Sequence, residues 1–185
     1  MGRMKKTAVF LAEGFEETEA ITPIDMLRRA GVEVTLVSIT GSKVVNGSHG
    51  IPVTADALFN EPDYSSFDML LLPGGGPGTS NLESFEELLT LLKKADSEGK
   101  ILTAICAAPR ILGKLGFLKG EKAVCYPGNE KFLEGAEVPS DKKAVISGRY
   151  VTGKGMGAAV EFGAALIEVL LGKEKAEEIL EKICF

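Results

Sequence analysis

The stretch KILTAICAAPRIL, residues 100–112, decides the fold of this chain. An apolar segment typical of a buried strand ends at Cys106, and Pro109 opens a helical segment directly after it. This is the pattern of a nucleophile elbow, with cysteine in place of serine. Because a helix N-terminus favours the thiolate over the thiol, the turn predicts a reactive Cys106 with a lowered pKa. The alternative is a small buried cysteine that only packs.

Outward from this turn, short apolar runs alternate with helix-period segments. Strands are predicted at residues 7–12, 33–38, 67–72, 100–105 and 121–125, and helices at about 17–30, 82–98 and 107–115. Apolar runs without alternation, such as MLLL, indicate a parallel sheet with helices on both faces. The pattern therefore predicts an α/β fold with a mostly parallel sheet.

Three further segments complete this reading of the chain. Residues 43–54 and 144–153 read as β-hairpins, with turns near Asn46-Gly47 and Ser147-Gly148. A C-terminal helix is predicted from about 156 to 171, with a break at Gly172 and a second helix after it. The whole chain, residues 1–185, is predicted to form one domain.

Composition and charge exclude several classes of partner. The formal charge is −5 and no dense Lys/Arg cluster occurs, which argues against nucleic acid. No apolar run approaches the ~18 residues of a membrane span, and TAVFLA is too short for a signal segment, so a cytoplasmic protein without a membrane role is expected. The three cysteines, which lack any CxxC spacing, give neither a disulfide framework nor a zinc pattern. No metal and no cofactor are predicted.

Three loops should meet at the carboxyl edge of the sheet, where open α/β sheets bind ligands. They are AEGFEETEA after the first strand, PGGGPGTSN after the 67–72 strand and CAAPR after the 100–105 strand. The first loop carries several glutamates, among which Glu19 is a candidate proton donor or acceptor for Cys106. Acidic residues at a helix start are also ordinary surface charge, so spacing alone leaves the working glutamate open.

The glycine loop offers a place for developing negative charge. PGGGPG lacks the Lys-Ser/Thr ending of a P-loop, so no nucleotide is indicated. Its glycines let backbone N–H groups approach a ligand, and the amides of Gly75 and Ala107 are candidates for an oxyanion hole. A plain tight turn is the alternative interpretation.

The motifs AEGFEETEA, DMLRRAGVEVT, LLLPGG, AICAAP and EFGAALIE, in this order, resemble the ThiJ/PfpI family of the class I glutamine amidotransferase-like superfamily, and most closely its Parkinsonism-associated deglycase branch. The resemblance covers nearly the whole chain. It implies a flavodoxin-like three-layer sandwich, a homodimer and a reactive elbow cysteine at Cys106. It also implies that Glu19 is the family's protonated carboxyl partner and that the oxyanion-hole amides are those of Gly75 and Ala107.

Two positions depart from the family pattern. The chain reads CYP where many relatives carry His before Pro, so Tyr126 replaces a histidine and a Cys-His dyad is in doubt. Ala107 stands where the protease-like branch places its histidine, which weakens a peptidase function. His49, the one histidine, lies in the NGSHG turn. Tyr126 and His49 are candidate substrate contacts, although strand-end packing and an exposed turn are their ordinary roles.

Two functions follow from these residues and the resemblance. The first is a cofactor-free enzyme for reactive α-oxoaldehydes, a glutathione-independent glyoxalase or deglycase that acts on small aldehydes or glycated substrates in a stress response. Here Cys106 adds to the aldehyde and Glu19 moves the proton. The second is a non-enzymatic oxidative-stress sensor or chaperone-like protein that uses oxidation of Cys106. Cysteine peptidase activity ranks below both.

Overall fold

The computed structural model describes residues 3–185, and its strands follow the apolar runs of the sequence. They are β1 (Lys6–Leu11), β2 (Glu33–Ser38), β3 (Val44–Asn46), β4 (Pro52–Thr54), β5 (Ala57–Leu58), β6 (Met69–Leu72), β7 (Ile101–Ile105), β8 (Ala144–Ser147) and β9 (Tyr150–Gly153). The α-helices are α1 (Glu17–Arg29), α2 (Gly76–Ser84), α3 (Glu86–Ser97), α4 (Pro109–Lys114), α5 (Ala159–Leu171) and α6 (Lys173–Lys182).

Seven strands form the main sheet, in the order β5-β2-β1-β6-β7-β9-β8. All neighbours pair in parallel except β8 and β9, which form an antiparallel hairpin. The strands β3 and β4 form a separate antiparallel hairpin. Because β1, β6 and β7 are adjacent and parallel, the loops that leave their carboxyl ends meet at one edge, as the sequence predicts.

Helices cover both faces of the sheet, because successive side chains of a strand point to opposite sides. Val9, Leu11 and Leu71 pack on the face covered by α1, α5 and α6. Phe10 and Leu70, from the same two strands, pack on the face covered by α3 and α4. Each face has its own buried apolar cluster, which confirms the three-layer, mostly parallel α/β sandwich.

The predicted strand at residues 121–125 is wrong. Its apolar side chains are buried, but its amides find scattered partners instead of a strand. Lys122 N donates to Ser147 Oγ at 3.0 Å, Val124 N donates to Thr152 Oγ1 at 2.9 Å, and only an isolated bridge to Glu137 resembles pairing. Side-chain oxygens at the edge of the β8–β9 hairpin thus take the place of a strand ladder.

Two other boundaries also differ from the prediction. The helix predicted over 82–98 corresponds to α3 and the end of α2, and residues 76–81, predicted as part of the glycine loop, are helical because α2 already begins at Gly76. The two-residue strand β5 carries no run long enough to be predicted. The C-terminal break is confirmed, because Gly172 adopts φ 95° between α5 and α6. Within residues 3–185, no helix has the length and apolar character needed to cross a membrane.

Candidate active site

Cys106 occupies the sharp turn between β7 and α4. Its φ of 67° lies in the left-handed region, which a non-glycine residue rarely adopts and which costs about 1–3 kcal/mol. Two backbone hydrogen bonds fix it there: its N–H donates to Gly153 O at 2.9 Å, and its carbonyl accepts from Tyr126 N at 2.7 Å. The side chain is half-buried. The chain therefore holds a strained, reachable sulfur at the edge where the three loops meet.

Glu19 is the carboxyl that the first turn of α1 brings to this sulfur. It is 1% exposed, and a Cβ built on Gly74 would meet both its Oε2 and Cys106 Cβ, so the two side chains lie side by side. The Cys106 side chain and the amides of Gly74 and Met156 act to lower the pKa of Glu19. Its Oε2 is buried and has no hydrogen-bond partner within residues 3–185. The structure thus selects Glu19 from the glutamates of this loop as the partner of Cys106.

The pKa values of both groups are raised. Burial, with the charge of Glu16 nearby, raises the pKa of Glu19 to about 7, although its hydrogen bonds act in the opposite direction. Burial and the charge of Glu19 raise the pKa of Cys106 to about 12, against the lowering effect of the Gly75 and Ala107 amides. The lowered pKa predicted from the turn alone is therefore wrong. Since α4 is short and Glu19 is close, burial and the carboxylate outweigh the helix terminus.

This coupling leaves one proton on the Glu19–Cys106 pair between about pH 7 and about pH 12. A carboxylate beside a thiol can take the sulfur's proton as the sulfur attacks. Such a pair is suited to forming a nucleophile by internal proton transfer, without a free thiolate in the resting state.

Glycines 74 and 75 allow the three loops to approach. A Cβ on Gly74 would collide with the Glu19 carboxyl and lie 2.5 Å from Cys106 Cβ. Gly75 adopts φ 90°, and a Cβ there would lie 2.5 Å from Gly14 O and 2.6 Å from Glu16 N. Larger residues would separate the carboxyl from the sulfur and push the first loop away. The glycine loop is thus more than the plain tight turn that was its alternative interpretation.

The predicted oxyanion-hole amides lie beside the sulfur. The backbone amides of Gly75 and Ala107 both act to lower the pKa of the Cys106 thiol. Gly75 is at the start of α2 and Ala107 directly follows the elbow, so two different loops supply the pair. A substrate oxygen on a carbon attached to the sulfur would lie within reach of such donors. Their role in stabilising an oxyanion stays a prediction.

His49 is placed at a different point from Cys106. It is exposed, and its Nδ1 lies 2.9 Å from Oε2 of Glu17. Its backbone N–H donates to Glu17 Oε1 at 2.7 Å. Burial acts to raise the pKa of Glu17, but the His49 side chain and nearby amides lower it to about 2. The histidine thus anchors the β3–β4 hairpin to the start of α1, and its contact with substrate stays a prediction.

Donor atoms of Glu16, Glu17 and His49 all lie within 4.8 Å of one another. This is the group that comes nearest to a set of metal ligands in the described chain. Glu17 is already hydrogen-bonded by His49 and by the amide of Ile51, and Glu16 caps α1. These carboxylates therefore have structural partners.

Tyr126 lies beside the catalytic pair at the mouth of a cavity. Its amide holds the Cys106 carbonyl, and its ring would lie 3.4 Å from a Cβ on Gly155. The side chain is 54% exposed, so strand-end packing does not account for it. Its role as a substrate contact stays a prediction supported by this position.

Sequence reasoning missed two supports of the site. Glu16 is the N-cap of α1, and its Oε2 accepts from Glu19 N at 2.7 Å. The i to i+3 spacing of a side-chain cap was present in FEETE, but glutamate is an unusual cap. The amide of Met156, which binds Glu19, carries no side-chain signal. It reaches the site because the loop after β9 folds back over the elbow.

Comparison with known proteins agrees with this architecture. Residues 5–169 match the model of the DJ-1/PfpI family. Protein DJ-1 homolog B of Arabidopsis thaliana is 40% identical over 176 residues, which cover 95% of this chain and 40% of the relative. The glutathione-independent glyoxalase DJR-1.2 of Caenorhabditis elegans is 33% identical, with 100% of this chain and 98% of the relative covered. The chain thus spans less than half the length of its Arabidopsis relative.

Solved structures agree as well. The oxidized DJ-1 of Toxoplasma gondii superposes with a TM-score of 0.91 at 36% identity, covering 98% of both chains. The fold is therefore the flavodoxin-like sandwich that the resemblance implied. With a family match over most of its length and relatives above 30% identity, the chain belongs to the DJ-1/PfpI family.

Proposed function

We propose that this protein is a cofactor-free enzyme that converts reactive α-oxoaldehydes, such as methylglyoxal, to α-hydroxy acids. The observation that carries the proposal is the buried Glu19 carboxyl packed beside the strained Cys106, with the amides of Gly75 and Ala107 acting on the same thiol. A relative with 33% identity over the whole chain is a glutathione-independent glyoxalase, which supports this chemistry. Removal of early glycation adducts would use the same groups.

The reaction begins when Cys106 Sγ forms a bond to the aldehyde carbon and Glu19 accepts the thiol proton. The oxyanion that develops is held by the Gly75 and Ala107 amides and is then protonated, giving a hemithioacetal. Glu19 removes the proton from the former aldehyde carbon and returns one to the neighbouring ketone carbon. Water then cleaves the resulting thioester. The aldehyde carbon is oxidised and the ketone carbon reduced, so no external electron carrier is required.

A Glu19 pKa of about 7 suits this exchange, because the carboxyl can both accept and donate a proton near neutral pH. The carboxylate starts the reaction by taking the thiol proton. The carboxylic acid completes it by protonating carbon or oxygen. Turnover is therefore expected to rise as pH increases through about 7.

Lactate formation from methylglyoxal, without glutathione or added metal, tests the proposal. Cys106→Ser and Glu19→Gln are each expected to lower turnover at least about 100-fold, because the nucleophile or its proton acceptor is lost. Cys184→Ser is the matched control, since this cysteine is exposed and lies outside the loops that meet at Cys106. Wild-type turnover that survives Cys106→Ser would contradict the proposal.

A specific observation favours a second candidate, an oxidation sensor. Glu19 Oε2 is buried without a nitrogen or oxygen partner in the described chain, and an oxygen added to Cys106 Sγ would supply one. The structure of the Toxoplasma gondii relative is that of an oxidized protein. Mass spectrometry after mild peroxide treatment separates the candidates. Selective oxygen addition at Cys106 in a protein that turns over no aldehyde would favour the sensor.

The proposal includes a homodimer. Two large apolar side chains, Ile21 at 42% exposure and Ile51 at 58%, lie on either side of Glu17, where α1 meets the β3–β4 hairpin. Adjacent exposed apolar residues are typical of an interaction face. Sedimentation analysis is expected to give a dimer, and Ile51→Asp to weaken it. Lys173→Asp on α6 is the control, and a monomeric wild type would contradict this assembly.

We also propose that the protein works in the cytoplasm. The three cysteines are unpaired in the described chain, and the proposed chemistry needs a reduced Cys106. Alkylation of the three thiols in freshly lysed cells, followed by mass spectrometry, is expected to find them reduced. Fractionation that places the protein in an oxidising compartment would contradict this location.

A further inference from the structure

A cavity of about 420 Å3 lies next to the catalytic pair. Its wall includes Tyr126, Lys154 and Met156. Tyr126 N donates to the Cys106 carbonyl, and the Met156 amide hydrogen-bonds Glu19, so the cavity shares two walls with the site of reaction. This volume is in the usual range for small-molecule sites, about 300–1,000 Å3. It is far larger than a three-carbon aldehyde needs, which leaves room for a longer substrate.

Lys154 is the cation of this cavity that has donors to spare. Its Nζ donates to the Ser140 carbonyl at 3.2 Å, and no ion pair to it forms in the described part of the chain. A lysine ammonium has three N–H donors, so two are left for another acceptor. Lys143, at the rim of the same cavity, is paired with Glu161 at 2.6 Å. The charge that remains unneutralised at the wall is therefore positive.

The position of Lys154 is set by the β8–β9 hairpin, whose Gly153 carbonyl accepts from the Cys106 amide. The backbone N–H of Lys154 donates to Lys143 O at 2.8 Å, which continues the β8–β9 pairing by one residue. Gly155 follows directly, and a Cβ there would lie 4.0 Å from Glu19 Oε1. Lys154 thus places a positive charge in the cavity wall, directly before the Gly155 turn. In a chain of net charge −5, a local cation is needed to hold an anionic substrate.

We propose that the cavity binds a carboxylate at the far end of the substrate, with Lys154 as its counter-ion and Tyr126 as its apolar wall. The inference rests on the proposed function, and it names the preferred substrate class as α-oxoaldehydes that carry a carboxylate a few carbons from the dicarbonyl. With γ,δ-dioxovalerate, Cys106 adds to the aldehyde, the aldehyde carbon is oxidised and the ketone carbon is reduced. One water is consumed and α-hydroxyglutarate is released.

A matched pair of substrates tests the charge preference. Propylglyoxal has the same carbon chain as γ,δ-dioxovalerate, with a methyl group in place of the carboxylate. The wild type is expected to show a kcat/KM at least about fivefold higher for γ,δ-dioxovalerate, the effect of one partly exposed, charge-assisted hydrogen bond. The preference is expected mainly in KM and is expected to shrink at high salt.

Lys154→Met is expected to reduce the ratio of the two kcat/KM values to near one. Lys142→Met, which removes the same charge from an exposed lysine paired with Asp141, is expected to leave the ratio as in the wild type. Turnover of both compounds at equal kcat/KM, or a ratio unchanged in Lys154→Met, would overturn the carboxylate site and leave the proposed function intact. Failure of the wild type to turn over either compound would contradict the proposed function itself.

Discussion

Glu17 and Glu19 lie in the same turn of α1, and both are buried, with 6% and 1% of their surfaces exposed. Their pKa values nevertheless move in opposite directions, to about 2 for Glu17 and about 7 for Glu19. Burial raises the pKa in both cases. Glu17 overcomes it with hydrogen bonds from His49 and from backbone amides of the hairpin turn, whereas Glu19 faces the Cys106 sulfur.

The difference teaches that the desolvation of a carboxyl and its hydrogen-bond partners together decide its pKa, and with it the work the carboxyl can do. Glu17 stays ionised and ties the β3–β4 hairpin to the start of α1, which is a structural task. Glu19 has a pKa of about 7, which suits the proton transfer proposed for it. The two tasks are separated by a single residue because adjacent faces of a helix start point toward different loops.

The largest effect on turnover is expected from a substitution that moves Glu19 away from Cys106. Gly74→Ala places a Cβ against the Glu19 carboxyl and Cys106 Cβ, so the two must separate. We expect turnover of methylglyoxal to fall about 100-fold, since catalysis is sensitive to a displacement of ~1 Å. Gly76→Ala is the matched control, because a Cβ there meets nothing within 4 Å. Equal activity of the two variants would contradict the close approach.

The sequence predicted the parts of this site that rest on apolar pattern and glycine. The runs 7–12, 67–72 and 100–105 fixed adjacent parallel strands, and the elbow after Ile105 followed from strand and helix signals. Side-chain preference could not identify the strand error at 121–125, since its apolar residues are buried as expected. What differs is the backbone partner, which depends on Thr152 and Ser147 from a distant hairpin.

The electrostatics of the site were the least predictable part. The amides at the turn do act to lower the pKa of Cys106, as the sequence predicts. The opposing effects come from burial and from Glu19, which lies far away in the sequence, and only the folded chain gives their size. Lys154 was missed for the same reason, because a single lysine in a glycine loop has no pattern that points into a cavity.

Removal of the Glu17 charge is expected to lower the free energy of unfolding. Glu17→Gln removes the charge that accepts the His49 and hairpin amides, and we expect a loss of about 2 kcal/mol in the free energy of unfolding at pH 7. Because the folded pKa of Glu17 is lowered from 4.5 to about 2, its contribution is present above pH 4.5 and is lost as pH falls toward 2. Urea unfolding of the wild type and of Glu17→Gln, at pH 7 and at pH 3, measures this loss and its decrease at low pH.

The control for this series is Glu134→Gln, an exposed carboxyl outside the helices, which is expected to leave the free energy of unfolding unchanged. A Glu17→Gln protein as stable as the wild type at pH 7 would show that the hairpin needs no charged anchor.

Glu19→Gln is expected to change the free energy of unfolding in the opposite direction from Glu17→Gln, and by a smaller amount. The folded pKa of Glu19 is raised from 4.5 to about 7, so the folded state binds more protons than the unfolded state between these values. Stability contributed by the neutral carboxyl is therefore present below pH 4.5 and is lost as pH rises through about 7. We expect Glu19→Gln to raise the free energy of unfolding at pH 8 by about 1 kcal/mol, measured by urea unfolding. A loss of stability would mean that the carboxylate is well accommodated.

The smallest effect is expected at His49, whose titration reports on Glu17 directly. The chain has one histidine, so its ring signal in a proton NMR spectrum needs no assignment by mutation. The hydrogen bond and charge of Glu17 raise the pKa of His49 above 6.5, so its titration midpoint is expected above that value in the wild type. In Glu17→Gln the midpoint is expected to return toward 6.5, whereas in Glu19→Gln it stays raised, because His49 pairs with only one of the two carboxyls. Equal titration midpoints of His49 in the two variants would contradict the different roles assigned to Glu17 and Glu19.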